Sequence, residues 1–86
     1  MVITIAQEAV KKQLKAPSTA KFPWGSDEYN IKEVASNDDG FNEYYISGYV
    51  DAENSFGANI RTRFIVNLEL SENGENYKIL DVKLDE

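Results

Sequence analysis

NIRTRFIVNLEL, residues 59–70, alternates between apolar and polar side chains. Successive side chains of a strand point to opposite faces, so the alternation predicts a long β-strand with one apolar face. That apolar face, here called the inner face, carries Ile60, Thr62, Phe64, Val66, Leu68 and Leu70. The opposite face, here called the outer face, is the one that carries Arg61, Arg63 and Ile65.

Three further segments predict strands around this one. Residues 43–51 and 76–84 alternate clearly, whereas residues 28–35 alternate poorly, which is typical of an edge strand or a bulge. Turn-forming residues separate the four segments. These turns are Asn37-Asp38-Asp39-Gly40, Asn54-Ser55-Phe56-Gly57 and Glu72-Asn73-Gly74.

The alternation also predicts how the strands pair. Antiparallel neighbours must put their apolar faces on the same side of the sheet. A three-residue loop at 72–74 satisfies this by pairing Phe64 with Val82, and it places Gly74 at a left-handed position. For the preceding hairpin, the same rule predicts Ile46 opposite Phe64, with Tyr49 opposite Arg61 on the outer face.

Residues 3–15 predict the one helix. An apolar stripe runs along it, Thr4 and Gln7 have capping-box spacing, and Pro17 would end it. The stripe consists of Ile3, Ala6, Val10 and Leu14. The following connection, residues 16–26, contains Phe22 and Trp24, which we expect to pin it onto the core.

The predicted fold class is α+β, with one N-terminal helix packed on a four-stranded antiparallel meander sheet, a cystatin-like layout in general terms. A chain of 86 residues predicts a single domain, residues 1–86.

One helix covers one face of such a sheet, so the outer face is the candidate site. Tyrosine and arginine are enriched at interaction hot spots. We therefore predict a partner-binding surface formed by Tyr45, Tyr49, Arg61, Arg63 and Ile65. The alternation also predicts Tyr77 and Ile79 on this face. Two alternatives stay open: a purely structural Tyr49–Arg61 cation–π pair with Asp51 and Asp85 neutralising the arginines, or coverage of the face by the connection 16–26.

Composition argues against an enzyme. The chain has no cysteine and no histidine, which excludes thiol and imidazole chemistry. Asp51 and Glu53 could hold a cation, but the segment lacks the spacing of an EF-hand loop. We also expect too little volume for a substrate cavity of ~300 Å³. The expectation is a non-catalytic protein with no catalytic residues, no cofactor and no metal.

Charge is strongly polarised along the chain, whose net charge is −6. Residues 1–24 hold four lysines and one glutamate, and residues 25–86 hold five basic and fourteen acidic side chains. This acidity opposes direct binding to nucleic acid. The acidic part either pairs with the basic part for solubility or imitates a nucleic acid in a protein groove.

Two segments resemble a known family. QLKAPSTAKF, residues 13–22, is similar to a "QLKSPSTAKF" motif. GYVDAENSFGA, residues 48–58, with Arg61, Thr62 and Phe64 after it, is similar to a "GYVDAQNSFGA..RT.F" motif. Both are typical of a small domain family of bacterial chromosomes and prophages, often found at the end of tethered proteins. The resemblance implies a phage or bacterial context and no defined activity.

The second motif also predicts a structured loop formed by Asp51, Asn54, Ser55, Phe56 and Gly57. We expect its polar side chains to cap backbone groups, Phe56 to pin it, and Gly57 to supply a positive φ. Gly48, in mid-strand, predicts close approach by another element, most simply the helix or the connection.

The leading functional expectation is a protein-interaction module of phage or bacterial origin that binds a host or phage protein through the outer face. The alternative is a phage-encoded acidic inhibitor of a host nucleic-acid-processing enzyme, an anti-CRISPR or other anti-defence protein. No apolar run is long enough to insert into a membrane. A chain that naturally starts at Met1 is expected in the cytoplasm, since no signal peptide precedes it; for a longer protein the location is open.

Overall fold

A computed structural model describes residues 2–35 and 40–85. Helix α1 spans Val2–Lys11, and four strands follow: β1 Asn30–Ala35, β2 Phe41–Glu53, β3 Asn59–Ser71 and β4 Tyr77–Asp85. The strands form one antiparallel sheet in the order β1-β2-β3-β4, with α1 packed on it. The predicted α+β meander is therefore confirmed, with β1 at an edge. The predicted turn at Asn37-Asp38-Asp39-Gly40 lies outside the described residues except for Gly40.

Helix α1 is shorter than the sequence pattern predicts. It ends at Lys11, and the amides of Gln13 and Leu14 then bond three residues back, to the carbonyls of Val10 and Lys11. Leu14 still packs against the core. Pro17 does not end α1; it opens a separate 3₁₀ turn, Pro17–Thr19. The helix stripe is confirmed, since its members lie in the core or pack against it.

The predicted capping box is wrong. Thr4 lies inside the helix, two residues after its start, so its side chain is not at the cap position. The Gln7 amide instead donates a 2.7 Å hydrogen bond to the Tyr29 hydroxyl, which itself donates to the Pro23 carbonyl at 3.1 Å. Tyr29 therefore links the helix, the connection and the start of β1.

The core lies between α1 and the inner face. Its largest fully buried side chains come mostly from β2 and β3, as the alternation predicts. They are Phe64, Ile46, Leu68, Val10, Val50 and Val66. Within the connection, Phe22 packs edge-on against Phe64 with ring centroids 6.2 Å apart. The expectation for Trp24 is wrong, because its side chain is 102% exposed.

The β2–β3 register differs from the prediction by two residues. Ile46 pairs with Val66 rather than Phe64, and Tyr49 pairs with Arg63 rather than Arg61. The reason is the length of the hairpin: β2 continues to Glu53, and the Asn54 amide closes the turn on the Ala58 carbonyl at 2.9 Å. A shift of two residues keeps every side chain on its predicted face.

The β3–β4 hairpin departs further from the prediction. Ser71 bonds Asn76 across a four-residue loop, rather than the predicted three, although Gly74 does have a positive φ of 75°. Leu68 pairs with Ile79 and Asn67 with Asp81, so Leu80 is an extra residue that forms a β-bulge. Beyond the bulge, the apolar residues of β3 and β4 face each other again, as in the pairing of Phe64 with Leu84. Tyr77 and Ile79 therefore pair with the inner-face residues Leu70 and Leu68, so their placement on the outer face is wrong.

Gly48 is confirmed as a point of close approach, although the neighbours are neither α1 nor residues 22–24. A Cβ added there would lie 3.0 Å from Tyr29 Cδ1 and 3.1 Å from Phe64 Cζ. Both rings are buried, so neither can withdraw into solvent. The absence of a side chain at position 48 is what allows Tyr29 to reach Phe64.

We expect Gly48→Ala to destabilise the domain. Overpacking costs about 1–3 kcal/mol, which exceeds the roughly 0.5–1 kcal/mol that alanine gains over glycine in a strand. Urea unfolding followed by circular dichroism would measure the net loss. Ser47→Ala, one residue away on the outer face, is the control and should change stability by less than about 0.5 kcal/mol. A Gly48→Ala protein as stable as the wild type would contradict the packing described for Tyr29.

Candidate functional site: the outer face

Within residues 2–35 and 40–85, no helix packs on the outer face, and residues 16–24 do not cover it. Phe22 packs on the inner-face residue Phe64, and Trp24 points into solvent. Tyr45 and Ile65 are accordingly 40% and 47% exposed. Coverage by the connection, one of the open alternatives, is thereby excluded.

Arg61, Asp51 and Tyr49 form a charged cluster at one end of this face. Arg61 Nε donates to Asp51 Oδ1 at 2.8 Å, and Arg61 Nη2 donates to Asp51 Oδ2 at 3.0 Å. The guanidinium carbon lies 4.0 Å from the centroid of the Tyr49 ring. The expected cation–π pair is therefore present, with Arg61 held on both sides. A planar guanidinium fixed by a bidentate carboxylate and an aromatic ring is preorganised for contact with a partner.

This geometry predicts the titration of Asp51. The hydrogen bond from Arg61 is the largest influence and holds the pKa of the carboxyl below its ordinary value, against a smaller opposing effect of burial. A depressed pKa in the folded state contributes stability at neutral pH, and this contribution is lost as the pH falls through that pKa. Because the pair is exposed, its contribution is small.

We expect Asp51 to be among the last exposed carboxyls to protonate on acidification. NMR titration of the side-chain carboxyl carbons would measure this, and Arg61→Ala should raise the Asp51 pKa towards its ordinary range. Arg63→Ala serves as the control, since Arg63 lies opposite Tyr49 and Asp85 in the strand register, whereas Asp51 lies opposite Arg61. An Asp51 pKa that does not respond to Arg61→Ala would contradict the observed bidentate pair.

Two shallow depressions run across the outer face. The larger, of about 980 Å³, extends from Asp27 and Glu28, in the 3₁₀ turn Ser26–Glu28, to Lys83 and Asp85 of β4. Tyr49, Arg63 and Ile65 line its floor. The smaller, of about 560 Å³, is lined by Lys32, Val34, Tyr45 and Ile65. The expectation of too little volume for a substrate cavity of ~300 Å³ is therefore wrong as to volume, because the sheet is long enough to form an open trough.

The structure thus brings four of the five predicted binding residues, Tyr45, Tyr49, Arg63 and Ile65, to two depressions that share Ile65. Arg61 lies in a third, of about 420 Å³, with Lys21 and Asp51. The sequence did not predict Asp27 and Glu28 at this site, because they precede β1 and no local pattern shows where such a turn packs. It also missed Lys32, although the position of Lys32 follows once the edge-strand register is known.

The motif loop is held mainly by Asn54. Its side-chain oxygen accepts hydrogen bonds from the amides of Phe56 at 2.9 Å and Ala58 at 3.1 Å, and Gly57 has the expected positive φ of 82°. Phe56 does not pin the loop, since it is 93% exposed at the tip beside the exposed Ser55. Asp51 does not cap the loop either, because its carboxylate binds Arg61.

The two motif segments contact each other. Lys21 and Asp51 form a backbone bridge, with N···O distances of 2.8 and 3.1 Å in the two directions. The Thr19 hydroxyl accepts a hydrogen bond from the Glu53 amide at 2.9 Å and donates to the Ala16 carbonyl at 2.7 Å. The first motif therefore anchors the connection to β2 next to the Arg61–Asp51 pair.

The pKa of Tyr45 is raised, first by its hydrogen bond with Glu43, so its hydroxyl stays protonated at neutral pH. Within residues 2–35 and 40–85, no three acidic side chains lie together as a metal site would require. None of the helices in that part of the chain is long and apolar enough to cross a membrane.

No family model, no curated protein and no solved structure matches this chain. The resemblance carried by residues 13–22 and 48–58 therefore stays a prediction.

Proposed function

We propose that this domain is a non-catalytic protein-interaction module that binds a protein partner through the outer face. The observation that carries the proposal is the Arg61 guanidinium, which Asp51 and Tyr49 hold next to the larger depression that Tyr49 lines. Aromatic and arginine side chains whose conformations are already fixed lose little entropy on binding. They are the residue types that dominate protein interfaces.

The charges of the outer face favour a partner protein whose surface also carries both basic and acidic side chains. By register, the described strand positions on this face include five basic and six acidic side chains, a difference of −1, against −6 for the whole chain. The basic ones are Lys32, Arg61, Arg63, Lys78 and Lys83. The acidic ones are Glu43, Asp51, Glu53, Glu69, Asp81 and Asp85. Asp27 and Glu28, which also line the larger depression, change the difference only to 5 − 8 = −3. Since basic side chains lie throughout this face, it does not imitate a phosphate backbone, and we prefer an interaction module to an acidic inhibitor acting through this surface.

Site-specific photo-crosslinking in cells would test the proposal. A photoreactive amino acid at Lys32, which lines the smaller depression, should crosslink a protein partner. The same amino acid at Lys12, exposed just after α1, is the control and should not give that adduct. Identical adducts at both positions, or no adduct at Lys32, would contradict binding through the outer face.

A further inference from the structure

Strand β4 is a long edge strand, and no other described strand pairs with its free edge. It spans nine residues, Tyr77–Asp85, and pairs with β3 alone in the described sheet. Leu80 and Leu84 on this edge are 46% and 37% exposed. Unpaired backbone groups beside exposed apolar side chains favour pairing with another strand. Proteins protect such an edge by shortening or covering it, by a bulge, or with charged side chains. Strand β4 has a bulge at Leu80, but after it the strand is regular and its charged side chains, Asp81, Lys83 and Asp85, carry both signs.

We propose that β4 pairs with β4 of a second copy of this chain, in an antiparallel arrangement that forms one continuous eight-stranded sheet. The two-fold axis of such a pair runs normal to the sheet, so each copy presents its outer face on the same side. Residues that face each other must lie on the same face of the sheet, so one residue of β4 must face its own copy across the axis. We call this the residue on the axis. The regular stretch after the bulge, Asp81–Asp85, offers only a few such registers.

The charged side chains of β4 favour one of these registers. When Val82 faces its own copy across the axis, Asp81 of each copy lies opposite Lys83 of the other, and Leu84 lies close to the bulged Leu80. Opposite charges directly across antiparallel strands stabilise the pair, and like charges destabilise it. With Asp81 on the axis, two aspartates would face each other; with Lys83 on the axis, two lysines would. With Leu84 on the axis, Lys83 would face Asp85, but only three residues of each described strand would overlap.

The opposite edge of the sheet lacks this complementarity. Strand β1 has six residues, and Lys32 and Glu33 lie near its centre. Because Lys32 and Glu33 lie on opposite faces of the sheet, no register that matches faces sets one against the other, and placing either on a two-fold axis would set like charges against each other. Self-association is therefore expected at β4 and not at β1. Neither Asp81 nor Lys83 forms an ion pair within the described chain, so both are available for the second copy.

Sedimentation velocity of the full chain, at about 5–500 μM, tests the proposal in the range where a small interface assembles. The wild type should shift with concentration from 9.7 kDa to twice that mass. Asp81→Lys and Lys83→Asp should each raise the dimer dissociation constant about tenfold or more, because each sets like charges opposite one another twice. Circular dichroism melting of each variant checks that it is folded.

Mixing the two variants gives the sharpest result. Asp81→Lys in one chain and Lys83→Asp in the other restore opposite charges at both contacts, so the mixture should dimerise although each variant alone does not. A register centred on Leu84 predicts no effect of Asp81→Lys and no rescue on mixing. A wild-type chain that stays monomeric throughout the concentration range, or a dimer unaffected by both reversals, would overturn the proposal. Tyr49→Ala/Arg61→Ala should dimerise normally, which separates this surface from the proposed partner site.

Discussion

Replacing Phe64 by alanine is expected to lower the free energy of unfolding by about 3–5 kcal/mol. The side chain is 2% exposed, and it lies between the Phe22 ring and the Tyr29 ring, with centroids at 6.2 and 6.4 Å. It also packs against the position where Gly48 has no side chain. The cavity left by Phe64→Ala is therefore bounded by the sheet backbone and two rings, and it cannot collapse easily.

This loss is large relative to the whole stability of the domain. At about 0.05–0.15 kcal/mol per residue, a chain of this length has roughly 4–13 kcal/mol in total. We expect a marked fall in the urea midpoint, measured by circular dichroism. Phe56→Ala removes the same side chain from a position that is 93% exposed, and should change stability by less than about 0.5 kcal/mol. Equal losses in the two variants would contradict the assignment of Phe64 to the core.

The second large effect concerns binding of the protein partner. Replacing Tyr49 by alanine removes the ring over which the Arg61 guanidinium lies at 4.0 Å, so one substitution disturbs both residues. Truncating an interface hot spot to alanine costs about 2 kcal/mol or more of binding free energy, which corresponds to a roughly 30-fold larger dissociation constant. Titration calorimetry with the purified partner would measure it, and most of the change should appear in the dissociation rate.

A matched control separates loss of contact from loss of fold. Tyr77→Ala removes an exposed tyrosine that the register places on the inner face, so it should leave the affinity unchanged. The melting temperature of Tyr49→Ala should remain close to that of the wild type, because the ring is only half-buried. If Tyr77→Ala weakened binding as much as Tyr49→Ala, the partner would not be contacting the outer face.

Much of the fold follows from alternation, because alternation depends on burial. The segments 43–51 and 59–70 each have one apolar face, and the structure buries Ile46, Val50 and Phe64 as that pattern predicts. The same alternation of side chains predicts which face of the sheet the candidate residues of β2 and β3 lie on. A register shift of two residues leaves parity unchanged, so this error did not affect the predicted site.

Other features depend on contacts that a single sequence does not specify. The bulge at Leu80 moves Tyr77 and Ile79 to the inner face, and one extra loop residue is enough to require it. Thr4 and Gln7 have the spacing of a capping box, yet Gln7 binds Tyr29, which lies 22 positions away. Trp24 and Phe56 are exposed although apolar residues in loops usually pack. In each case a distant partner, or its absence, overrides the local preference.

The most direct test of the proposed function is capture from a lysate of the organism that encodes the chain, at low and high salt. Three tagged proteins are compared: the wild type, Tyr49→Ala/Arg61→Ala, and Tyr77→Ala/Lys12→Ala, which removes one tyrosine and one cation away from the outer face. We predict a partner that the wild type and the control retain at high salt and the outer-face variant loses. A nucleic-acid-processing enzyme captured equally by all three proteins, and released by salt, would contradict the proposal and favour the acidic inhibitor.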